Sequence, residues 1–592
     1  MRAHTVAAAL LASLAVGVPG ASAAVRCVAA STGCTSNHAT ITSAEAVAID
    51  GVDTIRIGPG LFPESITTSK RLVFEGSGTQ TANLTQWTAP GAASFALSLT
   101  RGGVVRKLAL TGPSSSTQGG PALSFAPTTG AFGLLVEDAV IRGGDKTTTA
   151  SDPVDGAGSA IEVSGTGASP AGLTVRRSAL FSGGVRNSNN AGASALSFAS
   201  PGALEVTDSF ASGVVAGQSN VGIAARGGTA LVERSVAEGS AGIAGLGPLQ
   251  LTVRRSTLTG SFRGLILSST AVGQTLGAQV DDSLLSAAPI GGDPLGAMSI
   301  VATGPVSVAA TGSTFVTTGP ATGAIVLRKA AASPGAAISL RNSLVRHAAP
   351  GTGRADVYLD GGQLTAAFSS FSTRTLVNGG TTTAPGTVGN VVADPLIDSA
   401  FGLLPGSALI DRGDPALADR VDRAGRTRSN DGDGDCVPRP DIGAFESAGR
   451  APCPPIAVSG FRVTNKVFAV KKRARSSQRR HKRKVKRGTT FVYRLTEASA
   501  VRITIERRLA GRRVGKRCRK PTRRNSGRRR CVRFRRAGTL RASKPAGSRR
   551  TAFSGRFRGR ALRVGRYRAT ITATARGKRS RPRRLNLRVV RP

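Results

Sequence analysis

The chain has 592 residues and a net charge of +47, all of which lies after residue 450. Residues 451–592 hold 49 Lys and Arg against two acids, Glu497 and Glu506, whereas residues 1–450 balance 31 bases with 31 acids. So sharp a boundary excludes one body of uniform character and predicts a neutral scaffold followed by a cationic module. Beyond the N-terminal apolar run, no stretch is long enough to cross a bilayer.

The N-terminus has a basic start at Arg2, an apolar run from Val6 to Val18 and the small-residue ending Ala21, Ser22, Ala23. This pattern predicts a secretory signal peptide over residues 1–23. Arg26 stands before Cys27, where lipoprotein processing needs a small residue. The Arg-rich C-terminal sequence carries no hydrophobic sorting tail. The mature chain is therefore expected outside the cell, secreted or held at a surface by non-covalent contacts. Its six cysteines form three local couples, Cys27 with Cys34, Cys436 with Cys453 and Cys518 with Cys531. An even count in an oxidising compartment predicts disulfides, and local pairing is the economical choice among the possible connectivities.

Residues 24–446 are expected to form the scaffold, and a phrase recurs along them. Leu173, Val175, Ser178 and Leu180 return as Leu204, Val206 and Ser209, as Leu251, Val253, Ser256 and Leu258, and as Ile338, Leu340, Ser343 and Val345. Weaker copies centre on Ala139, Ser235, Ser283, Ser313 and Ser369, and from Ser178 the steps are 31, 26, 21, 27, 30, 30 and 26 residues. Apolar alternation around a central Ser predicts strand. A strand unit at this period predicts a solenoid, in which each coil buries its inner face only against its neighbours. The step is too short for a propeller blade.

The opening of the scaffold runs Asp53, Thr54, Ile55, then Pro59, Gly60, Phe62 and Glu64, then Gly76 and Gly78. It resembles the first coils of right-handed parallel β-helix proteins of the pectate-lyase-like superfamily. Before it, Thr42 or Ser43 is expected to cap a short helix with Glu45 in its first turn. At the other end stand Ser407, Ala408, Ile410, Asp411 and Gly413, followed by Asp441, Ile442, Gly443, Ala444, Phe445 and Glu446. This resembles the closing segment of the choice-of-anchor Q group of exported β-helix proteins. The resemblance implies a fold and, by analogy alone, a carbohydrate partner. It implies for Asp411, Asp414 and Asp441 the role of capping turns over the last coil.

Candidate chemistry on the scaffold is sparse. Asp281 and Asp282 are the catalytic candidates, weighed against the reading that one of them is a solvated charge on a strand. Arg176, Arg177, Arg254 and Arg255 occupy equivalent places in two copies and could form a basic stripe, with no acid cluster apparent beside them in the sequence. Asp431, Asp433 and Asp435 alternate as Ca²⁺ ligands do, but Cys436 and Ile442 break the EF-hand pattern, which favours an Asp/Gly turn. No other metal or cofactor is expected.

After a linker over residues 447–456, residues 457–592 show short alternating strands around Phe491, Ile503, Tyr567 and Leu587. They predict an antiparallel β-sandwich, and the phrase Leu562, Gly565, Tyr567 resembles immunoglobulin-like and fibronectin-III-like bacterial modules. The aromatics occupy mostly core-like positions, which weakens a nucleic-acid reading. Arg519–Arg530 is expected to be a long loop tied by Cys518 and Cys531. A basic run holds the candidate polyanion-binding residues Lys471, Lys472, Arg473, Arg479, Arg480, Lys482, Arg483 and Lys484. The whole reads as an all-β, exported, non-enzymatic protein: a right-handed parallel β-helix held to anionic envelope polymers or polysaccharide by an Ig-like module. The alternatives are a polysaccharide lyase or glycoside hydrolase acting on the β-helix face, and an extracellular polyanion or DNA binder.

Overall fold

The computed structural model describes residues 23–29, 33–116, 119–146, 157–184, 193–213, 220–289, 296–348, 354–449, 455–471 and 485–591. The chain divides into two compact units, residues 1–450 and 451–592. Among the described residues no helix is long and apolar enough to cross a membrane.

The first unit is a parallel β-helix. Its strands form one 15-stranded sheet and one 21-stranded sheet, with parallel pairing throughout. The recurring phrase sets the register. Leu173 pairs with Leu204, Leu204 with Ala230, Ala230 with Leu251, and the same column continues through Ala278, Val308, Ile338 and Leu364. The second inner column runs through Val175, Val206, Val232, Val253, Val280, Ala310, Leu340 and Ala366. Both columns are buried in one continuous core. Each fully buried aliphatic side chain contributes about 1.5–3 kcal/mol, so the stack is held by many small equal terms.

The central Ser of the phrase marks a corner. The residue before it adopts a left-handed conformation in coil after coil: Arg177 (φ 45°), Asp208 (φ 50°), Arg234 (φ 48°), Arg255 (φ 47°), Asp282 (φ 48°), Gly312 (φ 60°), Asn342 (φ 55°) and Phe368 (φ 50°). The corner brings the Ser backbone N–H within reach of the next coil's Ser Oγ. The donations run from Ala139 to Ser178, Ser178 to Ser209, Ser209 to Ser235, and on through Ser256, Ser283, Ser313, Ser343 and Ser369, all at 3.1–3.3 Å. Each Oγ in turn donates to the carbonyl two residues back in its own coil, as Ser178 does to Arg176 at 2.8 Å. The ladder ends where Ser369 N donates to Asn390 Oδ1 at 2.9 Å.

The N-terminal cap differs from expectation in its details. The helix spans Ile41–Val47, and Thr40 caps it in a reciprocal box with Ser43. The carboxylate on its first turn is that of Glu64, which accepts from Ile41 N and Thr42 N, both at 2.8 Å. Glu45 instead pairs with Lys70 at 3.5 Å. A carboxylate from the first coil serves the helix end better than one within it, because it also ties the cap to the solenoid. Cys27 and Cys34 form a disulfide.

The second unit is a sandwich. One sheet contains Val458–Val463, Thr489–Leu495 and Gly547–Phe553. The other has seven strands, chiefly Ser499–Val514, Arg530–Lys544, Gly565–Ala575 and Arg583–Val590. Phe468, Phe491, Tyr493, Ile503, Phe553, Tyr567 and Leu587 fill the space between them. The Tyr567 hydroxyl donates to Arg563 O at 2.6 Å, closing a tyrosine corner inside the phrase that announced it. Between Arg519 and Arg530 the chain runs as a loop containing a single 3-10 turn, Arg523–Asn525, as expected. The strands Ser499–Val514 and Arg530–Lys544 pair across a hairpin out to Arg512 and Arg530, and Cys518–Cys531 locks its tip.

Ser256→Ala removes the acceptor of the buried Ser235 N–H. This is expected to cost about 1–3 kcal/mol in urea unfolding, whereas Thr174→Ala on an outward position is expected to stay within about 0.5 kcal/mol. Equal effects of the two substitutions would show that the corner ladder carries no particular load.

Candidate functional site

The segment after the last coil packs Leu409 and Ile442 with Leu344 and Val391. It turns back as a strap along the flank of the solenoid and crosses the corners of earlier coils. Asp414 N donates to Asn342 Oδ1 at 2.9 Å, and Asp414 Oδ2 accepts from Arg341 Nε at 2.7 Å. Ala444 N donates to Thr314 Oγ1 at 2.8 Å, and Arg423 Nη2 reaches Thr257 Oγ1 at 2.7 Å. Asp411, Asp414 and Asp441 do cap turns, but on this flank. Asp441 Oδ1 accepts from Asp411 N at 2.7 Å, and Asp411 Oδ2 from Gly432 N at 2.9 Å and Asp433 N at 2.8 Å.

Asp281 and Asp282 lie beneath the strap, each 4 % exposed, so neither is the solvated strand charge considered above. Asp282 Oδ1 accepts from Arg428 Nε at 3.0 Å and its Oδ2 from Arg420 Nη2 at 2.5 Å. Asp281 accepts from Gln279 Nε2 at 2.7 Å and lies 3.6 Å from Arg420. Arg428 is wholly buried. It pairs with Asp282 at 2.9 Å and Glu446 at 3.1 Å and donates to Gly312 O at 3.0 Å. A Cβ on Gly312 would stand 2.5 Å from Asp282 Oδ1 and 2.8 Å from Arg428 Nη2, so the guanidinium needs glycine there.

Five acids, Asp281, Asp282, Asp422, Asp441 and Glu446, surround two strap arginines. Loss of water, followed by the charge of Asp441, pushes Glu446 up to about 8, against the pull of the Asp441 N–H and Arg428. Burial likewise raises Asp281, Asp411 and Asp441. These groups cement a surface and offer a substrate no access.

The turn that holds the Ca²⁺ candidates brings Asp411, not Asp435, together with Asp431 and Asp433, their oxygens within 4.8 Å of one another. Asp431 accepts from Gly434 N at 2.9 Å, Asp433 from Asp435 N at 2.8 Å and Asp435 from Val437 N at 2.6 Å. Turn capping accounts for every one of these carboxylates. Cys436 is disulfide-bonded, and Cys453 lies outside the described residues.

The arginine stripe has acids beside it after all. Arg177 pairs with Glu137 at 2.7 Å and Asp138 at 2.8 Å, Arg234 with Asp208 at 2.6 Å, and Arg255 with Glu233 at 2.5 Å. Asp138, Arg177, Asp208 and Arg234 line an open groove of about 630 Å³ along the uncovered corners, and its charges cancel in place. The sequence spacing hid this because the partners lie 22 to 40 residues apart.

The second unit is different. Its two acids are both engaged, Glu497 with Arg576 at 2.9 Å and Glu506 with Arg568 at 2.7 Å. Residues 507–536, the hairpin tip and its base, hold 16 Lys and Arg and no acid. Lys471 is exposed, whereas Lys472, Arg473, Arg479, Arg480, Lys482, Arg483 and Lys484 lie outside the described residues. No protein-family model matches the chain, and no curated protein matches it.

Arg428→Met strips Asp282, Glu446 and Gly312 O of the buried donor they share, leaving Asp282 with Arg420 alone, and is expected to destabilise the first unit by about 3–5 kcal/mol in chemical denaturation. The pH dependence has a defined sign. Glu446 holds its proton in the folded state to about pH 8, while an unfolded glutamate releases it near its ordinary value of 4.5. The folded state therefore binds the extra proton, and stability falls as pH rises through that window. The melting temperature of the first unit is expected to drop between about pH 5 and pH 9, and Glu446→Gln to flatten the drop. A melting temperature that rises with pH, or a slope untouched by the substitution, would contradict the proton-rich strap.

Proposed function

We propose that the protein is an exported, non-enzymatic surface or matrix protein, whose β-helix scaffold is held to anionic envelope polymers by the cationic sandwich. One observation carries this reading: both acids of the second unit are already paired, so the rest of its positive charge has no acid within the unit to offset it. Such a field attracts polyanions over the range that salt permits. The scaffold supports the division of labour, because its corner charges pair with one another. The acids most suggestive of catalysis, Asp281 and Asp282, are spent on holding the strap. The disulfides Cys27–Cys34 and Cys518–Cys531 suit an oxidising compartment. We read the opening and closing motifs in the same way, as those of an exported pectate-lyase-like scaffold of the choice-of-anchor Q kind. Asp53, Glu64, Asp441 and Glu446 in those motifs all make structural bonds.

The test is retention of the full-length protein on purified cell walls. Binding is expected at about 0.1 M salt and release by about 1 M. Absence of binding, or binding indifferent to salt, would sink the electrostatic attachment. Equal affinity for DNA and for walls would favour a general polyanion binder, and new reducing or unsaturated ends in the wall glycan would favour an enzyme.

A further inference from the structure

The outer face of the seven-stranded sheet carries an ordered row of side chains. Arg588 stands opposite Val467 on one neighbour and opposite Arg566 on the other. Arg507 pairs with Tyr567, so Arg508, one residue further, lies level with Arg566. Arg508 in turn stands opposite Phe534. The row therefore reads Val467, Arg588, Arg566, Arg508, Phe534 across five adjacent strands, with a pitch of about 4.8 Å between neighbours. Together with Lys466 these residues line a groove of about 600 Å³. Val467 is 50 % exposed, and Arg568 lies 3.5 Å over the Phe534 ring while held by Glu506. Among the described residues, none of the four groove cations has an ion pair, since the unit's two acids are engaged elsewhere.

We infer that this groove binds an acidic glycan strand, with carboxylates on the three row arginines and one sugar face on the apolar end at Phe534. The inference rests on the attachment reading above and gives it a site and a ligand class. Guanidinium forks match planar carboxylates in a bidentate way that a lysine cluster does not. A sugar ring needs one apolar patch for its C–H face. A single-stranded nucleic acid needs aromatic platforms for successive bases. Here Phe534 is the one ring in the row, and Arg568 already covers one of its faces.

The probe is polygalacturonate, compared with single-stranded DNA and a neutral galactan, titrated against the full-length protein. Arg508→Gln, Arg566→Gln and Arg588→Gln combined are expected to weaken polygalacturonate binding at least about tenfold, since three charged hydrogen-bonding groups are removed. Arg523→Gln, Arg524→Gln and Arg529→Gln at the hairpin tip remove equal charge and are expected to weaken it less than about threefold. Phe534→Leu is expected to weaken polygalacturonate more than DNA. Equal loss from the two triple variants would overturn the groove while leaving wall attachment intact. A protein that binds polygalacturonate through the row yet is not retained on walls would overturn the attachment and keep the groove. A preference for DNA that Phe534→Leu abolishes would replace the glycan with nucleic acid.

Discussion

The scaffold depends on one hydrogen bond, the donation of each corner Ser N–H to the Ser Oγ of the next coil. The donor points along the solenoid axis only because the preceding residue is left-handed, a conformation that costs an L-residue about 1–2 kcal/mol. Arg177, Arg234 and Arg255 adopt it without the local hydrogen bonds that help Asn or Asp. The ladder outweighs that strain because an unpartnered buried N–H costs about as much or more. Each Oγ also donates to its own coil, so one hydroxyl fixes both the corner and the stacking.

The same corner explains where the strap lies. A left-handed residue throws its side chain outward, so the corners build a column of exposed functional groups. Between Asp138 and Arg255 the column neutralises itself. From Asp282 through Gly312 to Asn342 it offers a carboxylate, a bare backbone and an amide, and these are the groups Arg428, Ala444 and Asp414 dock on or beside. The strap buries more acids than bases, and Glu446 offsets part of the surplus by keeping its proton to about pH 8. The closing motif is thus a clamp whose strength depends on pH.

The solenoid was legible because its phrase repeats: alternation gave the strands, and the Ser column gave the corner that every coil shares. The disulfides Cys27–Cys34 and Cys518–Cys531 were legible for a similar reason, since their cysteines lie only 7 and 13 residues apart. What local pattern could not show was contact at long range. Asp282 looked like a free strand acid because Arg420 and Arg428 lie 138 and 146 residues away. Asp411 was not grouped with Asp431 and Asp433, for it comes from the other arm of the strap. Phe534 alternates with polar neighbours as a core residue would, whereas the register turns it outward.

The charge boundary then acquires a physical meaning. Sequence totals make the first unit neutral, but neutrality alone says nothing of where the charges sit. In the scaffold, opposite charges meet across neighbouring coils at 2.5–3.2 Å, and little field escapes. In the sandwich the arginines stand in rows with arginines, a costly arrangement for an isolated domain because like charges on adjacent strands repel. A sheet that places Arg508, Arg566 and Arg588 abreast forgoes stability that one interposed acid would restore. That forgone stability becomes binding energy once a polymer with negative groups at a similar pitch is laid across the strands. Arginine repulsion in the free protein and affinity in the proposed complex are two sides of one interaction, which is why the row, more than the total of +47, is the surface on which the proposed attachment rests.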